Sequence, residues 1–354
     1  MSRTVLITGG AGFIGCNVAQ RLLAQGDEVV VFDNLHPQCH TGQGRPKDLP
    51  KDVQFIPGDV TLTSNWASLL KLHRPEVVLH LAAETGTGQS LTEANRHAMV
   101  NVSGTAQLVD AMTTAKHVPS HFVLTSSRAV YGDGAWRSAS GEVFYPGGRT
   151  RAQLEARQWD AVGPDGRPAL AIASVADVTH PSPISVYGAT KLTQEHILAT
   201  WCRAFGAGLS TLRLQNVYGP GQALGNPYTG VLTFFAQRAV AKQPLDVYED
   251  GKIVRDFVFI HDVADALAAA ASQTSNTVRT FDIGSGEPTT IEETARVMAR
   301  LAGAPPPQVS GRFRDGDVRA ASCSIEAATK VLGYRPKVSL EQGLTALLAS
   351  IPRT

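Results

Sequence analysis

The sequence has 354 residues, 43% hydrophobic and 18% charged, a composition that describes globular material and excludes a disordered chain. The formal net charge of +1 comes without a basic or acidic run, so composition argues against nucleic acid and anionic membranes as partners. No stretch reaches the roughly 18 apolar residues of a membrane span, and the opening MSRTVLITGGAGFIG lacks the apolar core of a signal peptide, so the expected location is the cytoplasm.

In chain order, residues 5–8 read as a buried strand and 15–25 as a helix, with Val18, Ala19, Leu22 and Leu23 on one face. Residues 28–33 (EVVVFD), 53–57, 77–81 and 121–125 read as further strands, separated by helical patterns over 65–72 and 101–114. Strands and helices alternating at this spacing imply right-handed crossovers and a parallel sheet covered on both faces. Residues 133–183 break the rhythm with Gly-Gly at 147–148, GPDGRP at 163–168 and PSP at 181–183. They read as a long loop or subdomain with one helix over 150–160, forming a lid or rim over a pocket. A long helix over 186–205 and a strand over 210–214 follow. The four cysteines, Cys16, Cys39, Cys202 and Cys323, form no CxxC pair and read as free thiols, so no metal site is expected.

The sharpest local signal is Thr8-Gly9-Gly10-Ala11-Gly12-Phe13-Ile14-Gly15, which contains GxGxxG between a strand and a helix. Glycine there permits a tight turn and close approach of a pyrophosphate to the backbone, and the helix N-terminus offers free N–H groups to phosphates. Asp33, 18 residues after Gly15 at the end of the second strand, is placed to accept hydrogen bonds from an adenosine ribose. A carboxylate there disfavours the 2′-phosphate of NADP, so NAD is the expected cofactor. Tyr187 and Lys191 form a YxxxK pair on one face of a helix. A lysine beside a phenol favours phenolate, which suits the tyrosine to acid–base work. Thr125, Ser126 and Ser127 end a strand at the edge where such sheets bind ligands.

These motifs resemble the extended short-chain dehydrogenases/reductases of the nucleotide-sugar epimerase/dehydratase type. TGGAGFIG, Asp33-Asn34-Leu35, Gly58-Asp59-Val60, His80-Leu81-Ala82-Ala83, TSSRAVYG, YGATK, Asn216-Val217-Tyr218-Gly219-Pro220 and Arg255-Asp256-Phe257-Val258 fall in family order, and the match spans nearly the whole chain. The resemblance implies an α/β fold: a Rossmann doubly wound parallel sheet with a smaller mixed α/β substrate-binding domain. The boundaries are 1–216 for the NAD-binding domain, with the insertion at about 133–183, and 217–354 for the mainly substrate-binding part. Segments at about 255–285 return to the Rossmann core.

By the same resemblance Gly9, Gly12, Phe13, Ile14, Gly15, Asp33 and Asn34 hold the cofactor, and Asp59 and Val60 border its adenine. Leu81, Ala82, Ala83, Asn101 and Thr125 line the dinucleotide, with Tyr187 and with Lys191 on the nicotinamide ribose. Ser127, Tyr187 and Lys191 are the catalytic set, and Ser127 and Tyr187 meet the sugar hydroxyl. Asn216, Arg255 and Arg314 resemble ligands of the substrate diphosphate, for which paired hydrogen bonds from guanidinium are well suited.

Related 4,6-dehydratases carry an Asp-Glu pair directly after the catalytic Ser or Thr, where this chain has Arg128-Ala129, which argues against dehydration. DNLHPQCH at 33–40, HLAAETGTGQS at 80–90 and the insertion are most similar to dTDP-L-rhamnose 4-epimerase-type sequences. The implied reaction is NAD-dependent 4-epimerisation of a nucleotide-diphosphate sugar through a transient 4-keto sugar, in a homodimer joined through 101–114 and 187–205. A UDP-sugar epimerase, a net nucleotide-sugar dehydrogenase or reductase, and a non-catalytic NAD-binding protein remain the alternatives.

Overall fold

The computed structural model describes residues 2–40, 42, 44–225 and 230–352. Seven strands form the central sheet: β1 Thr4–Thr8, β2 Glu28–Asp33, β3 Gln54–Pro57, β4 Val77–His80, β5 His121–Ser127, β6 Gly208–Leu214 and β7 Val278–Ile283. Every neighbouring pair is parallel, in the order β7-β6-β5-β4-β1-β2-β3. Continuous apolar runs such as VVVF of β2 fit strands buried on both faces.

Helices α1 Phe13–Ala24, α2 Thr63–Leu72, α3 Gly104–Thr114, α4 Val186–Phe205 and α5 Ile260–Ser272 cover the sheet. The pair α1 and α5 packs on one face around Val5, Ile7, Leu22 and Leu267. On the other, α2, α3 and α4 pack around Trp66, Leu108, Phe122 and Leu198. Strand order reverses between β1 and β4, which pair with Thr8 opposite His80. The crevice beyond the carboxyl ends of these two strands is where open α/β sheets bind ligands.

A second apolar core gathers Phe235, Met298, Leu344 and Leu347 from the helices Val231–Val240, Ile291–Ala302 and Leu340–Ser350. Small sheets link it to the first. Asn216–Tyr218 pairs with Phe257–Phe259, and Val254–Arg255 lies between Thr289–Thr290 and Ala320–Ala321.

Some elements differ locally from the sequence reading. Helix α1 starts at Phe13, inside the glycine motif, because Gly12 is its extended N-cap. The helix expected over 101–114 is preceded by a wide π turn, Ala98–Ser103, that carries Asn101. Such turns are frequent at functional sites. The helix expected over 150–160 is only Arg151–Glu155, opened by a Thr150/Gln153 capping box. It is over by Arg157, whose φ is +57°.

Residues 133–183 form an antiparallel sheet of Trp136–Arg137, Val143–Phe144 and Leu170–Ala171, centred on Trp136. This segment is pinned to the C-terminal part of the chain. Ser174 N–H donates to Ser322 O at 2.9 Å, Ser324 N–H donates to Ser174 O at 2.8 Å, and buried Arg149 pairs with Glu249 at 2.8 Å.

Candidate active site

The glycine motif forms a cradle with no room for side chains. A Cβ on Gly9, whose φ is +67°, would stand 2.6 Å from Ala82 N, and one on Gly15 would stand 2.4 Å from Gly10 Cα. The cradle brings the end of β1 against Ala82 and seats α1 tightly on the turn. No side chain caps α1, so the first amides of the helix, those of Phe13 and Ile14, remain available to phosphate oxygens.

Asp33 closes the loop from below: its carboxylate accepts from Ala11 N–H at 3.0 Å and from Leu35 N–H at 2.8 Å. Asn34 donates to Asp59 Oδ2 at 3.0 Å. Burial works to raise Asp59, but hydrogen bonds from Thr61 and Asn34 hold it below the ordinary carboxylate range. Val60 is buried beside Gly104, and Leu81 N–H donates to Thr8 O at 3.0 Å. Leu81, Ala82 and Ala83 continue from the end of β4, next to the cradle. Thr125 Oγ1 donates to His80 O at 3.4 Å from inside the sheet. The cradle, the uncapped helix and the ribose-side carboxylate fit a dinucleotide.

Asn101 is occupied by the protein. Its amide donates to Glu84 O at 3.0 Å and Thr190 Oγ1 at 2.9 Å and accepts from Glu84 N–H at 2.7 Å, fixing the loop after β4 against α4.

Ser127, at the end of β5, and Tyr187, in the first turn of α4, lie close enough for the serine hydroxyl to act on the phenol. Ser185 caps α4 by accepting from Gly188 N–H at 3.1 Å. Ser127 Oγ accepts from Ala129 N–H at 3.1 Å and so caps the short 3₁₀ helix Arg128–Tyr131. A Cβ on Gly188 would lie 2.5 Å from Ala129 O, so this glycine lets α4 lie directly on that turn. Burial raises the Tyr187 phenol, while the Ser127 hydrogen bond and the Arg128 charge pull it down; the net direction is upward.

Lys191 points into a buried hydrogen-bond lattice. Its Nζ donates to Gln194 Oε1 at 2.6 Å, and Gln194 Nε2 donates to Thr105 Oγ1 at 2.8 Å. Thr105 spends its only hydrogen on Asn101 O at 2.6 Å, so its oxygen can only accept from His80 Nε2, 2.9 Å away. His80 therefore carries its proton on Nε2, and its Nδ1 accepts from Thr8 Oγ1 at 2.7 Å. Burial, helped by the Lys191 charge, pushes His80 down to about 3, so the ring is neutral. Burial likewise pushes Lys191 down to about 7, against the opposing pull of Glu195.

The residues expected at a diphosphate are not all drawn together. Arg255 is buried and donates to Asp317 Oδ1 at 2.7 Å and Val254 O at 2.8 Å. Asn216 Oδ1 is buried without a partner among the described residues. Arg314 is exposed, with its guanidinium 5.2 Å from the centre of the Tyr248 ring. Arg128, considered in the sequence only as a missing carboxylate, lines one cleft with Asp133, Ser174, Gln215 and Ser322. Gln215 Oε1 and Asp133 Oδ1 are likewise buried acceptors without partners among the described residues. The position of Arg128 directly after Ser127 was the signal that could have marked it, and Gln194 could have been found three residues beyond Lys191 on the same helix face.

The family model of NAD dependent epimerases/dehydratases matches residues 5–147 and 160–284. The chain belongs to this family. Among family members, dTDP-L-rhamnose 4-epimerase of Burkholderia thailandensis is 52% identical over 345 residues, covering 98% of this chain and 94% of that protein. UDP-glucose 4-epimerase of Mycolicibacterium smegmatis is 29% identical, covering 96% and 95%. Among solved structures, UDP-glucose 4-epimerase of Thermotoga maritima with UDP-glucose superposes with a TM-score of 0.77 at 29% identity, covering 98% of each chain. The Thermus thermophilus UDP-glucose 4-epimerase in complex with NAD gives 0.76 at 29% identity, also covering 98% of each.

Proposed function

We propose that this member of the family is an NAD-dependent nucleotide-sugar 4-epimerase acting on a dTDP-6-deoxyhexose and interconverting dTDP-L-rhamnose and dTDP-6-deoxy-L-talose. The observation that carries the reading is the Ser127–Tyr187 pair at the carboxyl end of β5, on the ligand edge of a sheet whose glycine cradle fits a dinucleotide. The 52% identity to the Burkholderia thailandensis enzyme over nearly the whole chain supports the choice of sugar.

Bound NAD supplies a hydride acceptor at the sugar carbon that can also give the hydride back. Tyr187, as phenolate, takes the proton of the C4 hydroxyl, Ser127 holds that hydroxyl in line, and Tyr187 later returns the proton. Lys191 serves the nicotinamide ribose. Asn216 and Arg255, with Arg314 at the rim, hold the diphosphate while the 4-keto ring turns over, which presents its other face. With Arg128 and Ala129 after Ser127, this wall carries no carboxylate pair to move protons at C5 and C6.

In this reading residues 1–216 serve the cofactor and 217–354 mainly the substrate, with the pinned insertion as a wall of the sugar pocket. The protein works as a cytoplasmic homodimer joined through α3 and α4, and equilibrium sedimentation at monomer mass would remove the dimer. The reaction is tested by incubating the enzyme with a panel of nucleotide sugars, without added cofactor, and reading ring configuration by NMR. Inversion at C4 of the dTDP-sugar without accumulation of NADH is expected. Stoichiometric NADH would mean net oxidation, and turnover of a UDP-sugar alone would replace the substrate.

A further inference from the structure

We propose that Arg128 is the charge partner of the Tyr187 oxygen: its guanidinium stabilises the phenolate that removes the sugar proton. The inference rests on the acid–base role of Tyr187 given above.

The geometry begins with the chain path. Arg128 directly follows Ser127 and opens the 3₁₀ turn on which α4 lies, and Gly188 is the residue that allows that close contact. That contact, Gly188 on Ala129 O, is too tight for a single added methyl group, and Tyr187 and Arg128 directly precede its two members in the chain. The half-buried guanidinium of Arg128 makes no hydrogen bond or ion pair among the described residues, whereas Arg149, Arg213, Arg255 and Arg319 nearby are each tied to carboxylates. A cation held in a cleft without a fixed partner is left for charge that develops there.

Four titratable or charged groups face Arg128: Tyr187 of α4, Asp133 of the following turn, and Asp317 and Arg255 of the C-terminal part. Burial and then Arg255 pull Arg128 down to about 10, with Asp317, Tyr187 and Asp133 opposing, so it remains a cation at neutral pH. Around Tyr187 stand Ser127, Arg128 and, edge-on at 6.4 Å between ring centres, His97. The expectation from YxxxK was that lysine would supply the charge on the phenol. In the structure Lys191 donates to Gln194, and burial raises the Tyr187 phenol against two opposing influences, Ser127 first and then the charge of Arg128.

The test is a direct titration of Tyr187 in the NAD-bound enzyme by phenolate difference absorbance, subtracting the Tyr187→Phe protein. An opposite charge at short range typically lowers a pKa by about 1–3. Arg128→Gln is therefore expected to move the midpoint up by about 1 pH unit or more, and to carry the alkaline-rising limb of kcat with it. Turnover at neutral pH should fall by about tenfold or more. Arg128→Lys, which keeps the charge, should hold the midpoint near that of the parent enzyme. Arg128→Met gives a second neutral variant should the glutamine protein fold poorly. A midpoint unmoved in a folded neutral variant overturns the inference while leaving the function intact. Undiminished turnover in Tyr187→Phe overturns the function itself.

Discussion

Lys191 Nζ donates to Gln194 Oε1 at 2.6 Å, and through the Gln194 amide the lysine is joined to Thr105, His80 and Thr8. The last of these directly precedes the glycine cradle. The glycine cradle and helix α4 therefore share one buried lattice whose donor directions are fixed by the single hydrogen of Thr105.

Gln194→Ala should loosen that lattice. It removes the acceptor of a buried ammonium and one donor to Thr105, and stranded buried polar groups cost about 1–3 kcal/mol each. Denaturant unfolding should register a loss in that range, and calorimetry should register weaker NAD binding. Unchanged stability and unchanged NAD affinity would mean that Lys191 finds its position unaided.

The depressed Lys191 pKa makes stability depend on pH with a definite sign. The unfolded side chain titrates near ~10.4, and the folded one near about 7. Between those values the unfolded chain binds more protons, so this contribution is complete above the unfolded pKa and is lost as pH falls toward 7. The slope is at most about 1.4 kcal/mol per pH unit. Urea unfolding of the cofactor-free protein between about pH 7 and pH 9 should show stability rising with pH relative to Lys191→Met. Parallel profiles for the two proteins would contradict the assignment.

Asp33 is expected to select NAD. Its carboxylate is held by the Ala11 and Leu35 amides, so it cannot swing away from an adenosine ribose. A 2′-phosphate would meet the negative charge of that carboxylate. Calorimetry should give NAD at least about tenfold tighter than NADP, a difference of about 1.4 kcal/mol. Asp33→Asn, which keeps one oxygen for the backbone, should narrow the gap.

Gly188→Ala should separate chemistry from cofactor binding. The added methyl would meet Ala129 O at 2.5 Å and push the Ser127–Arg128 turn off α4. Turnover should drop by about a hundredfold, in the range that acid–base groups supply, while NAD affinity changes little. Equal losses in both would place the effect on folding.

Stereochemistry gives an independent check. In deuterated water, a C4-deuterated dTDP-6-deoxyhexose should keep its label at C4 and gain none at C5. In the proposed reading, Arg128 and Ala129 occupy the two positions that carry an Asp-Glu pair in the 4,6-dehydratases this chain resembles. Deuterium at C5 would identify a dehydratase or a C5-directed enzyme.

The sheet and its ligand edge were legible because each central strand is a short apolar run and the glycine cradle has one geometry that its residues permit. Helix α4 was read over its exact span because Ser185 and Gly206 punctuate it. The side-chain lattice was not legible. His80, Thr105 and Gln194 belong to three elements, and only the register of β1 with β4 and the seating of α4 bring them together. Arg128 escaped for a related reason: its meaning depends on a tyrosine 59 positions away in the chain. The insertion was read as a long loop or subdomain because its strands are two residues long and their anchors, Glu249 and the backbone around Cys323, lie far along the chain.

Those anchors have a consequence for how the pocket can vary among relatives. Ser174 is zipped to the backbone on both sides of Cys323, and the same ribbon, at Ala320–Ala321, pairs with the strand that holds Arg255. The sheet that carries Ser127 takes no strand from the insertion. In the proposed reading, where the insertion walls the sugar pocket, substitutions and length changes between Gly134 and Ile172 would resculpt that wall without moving the central sheet. Sugar preference can then drift over time while the chemistry stays fixed.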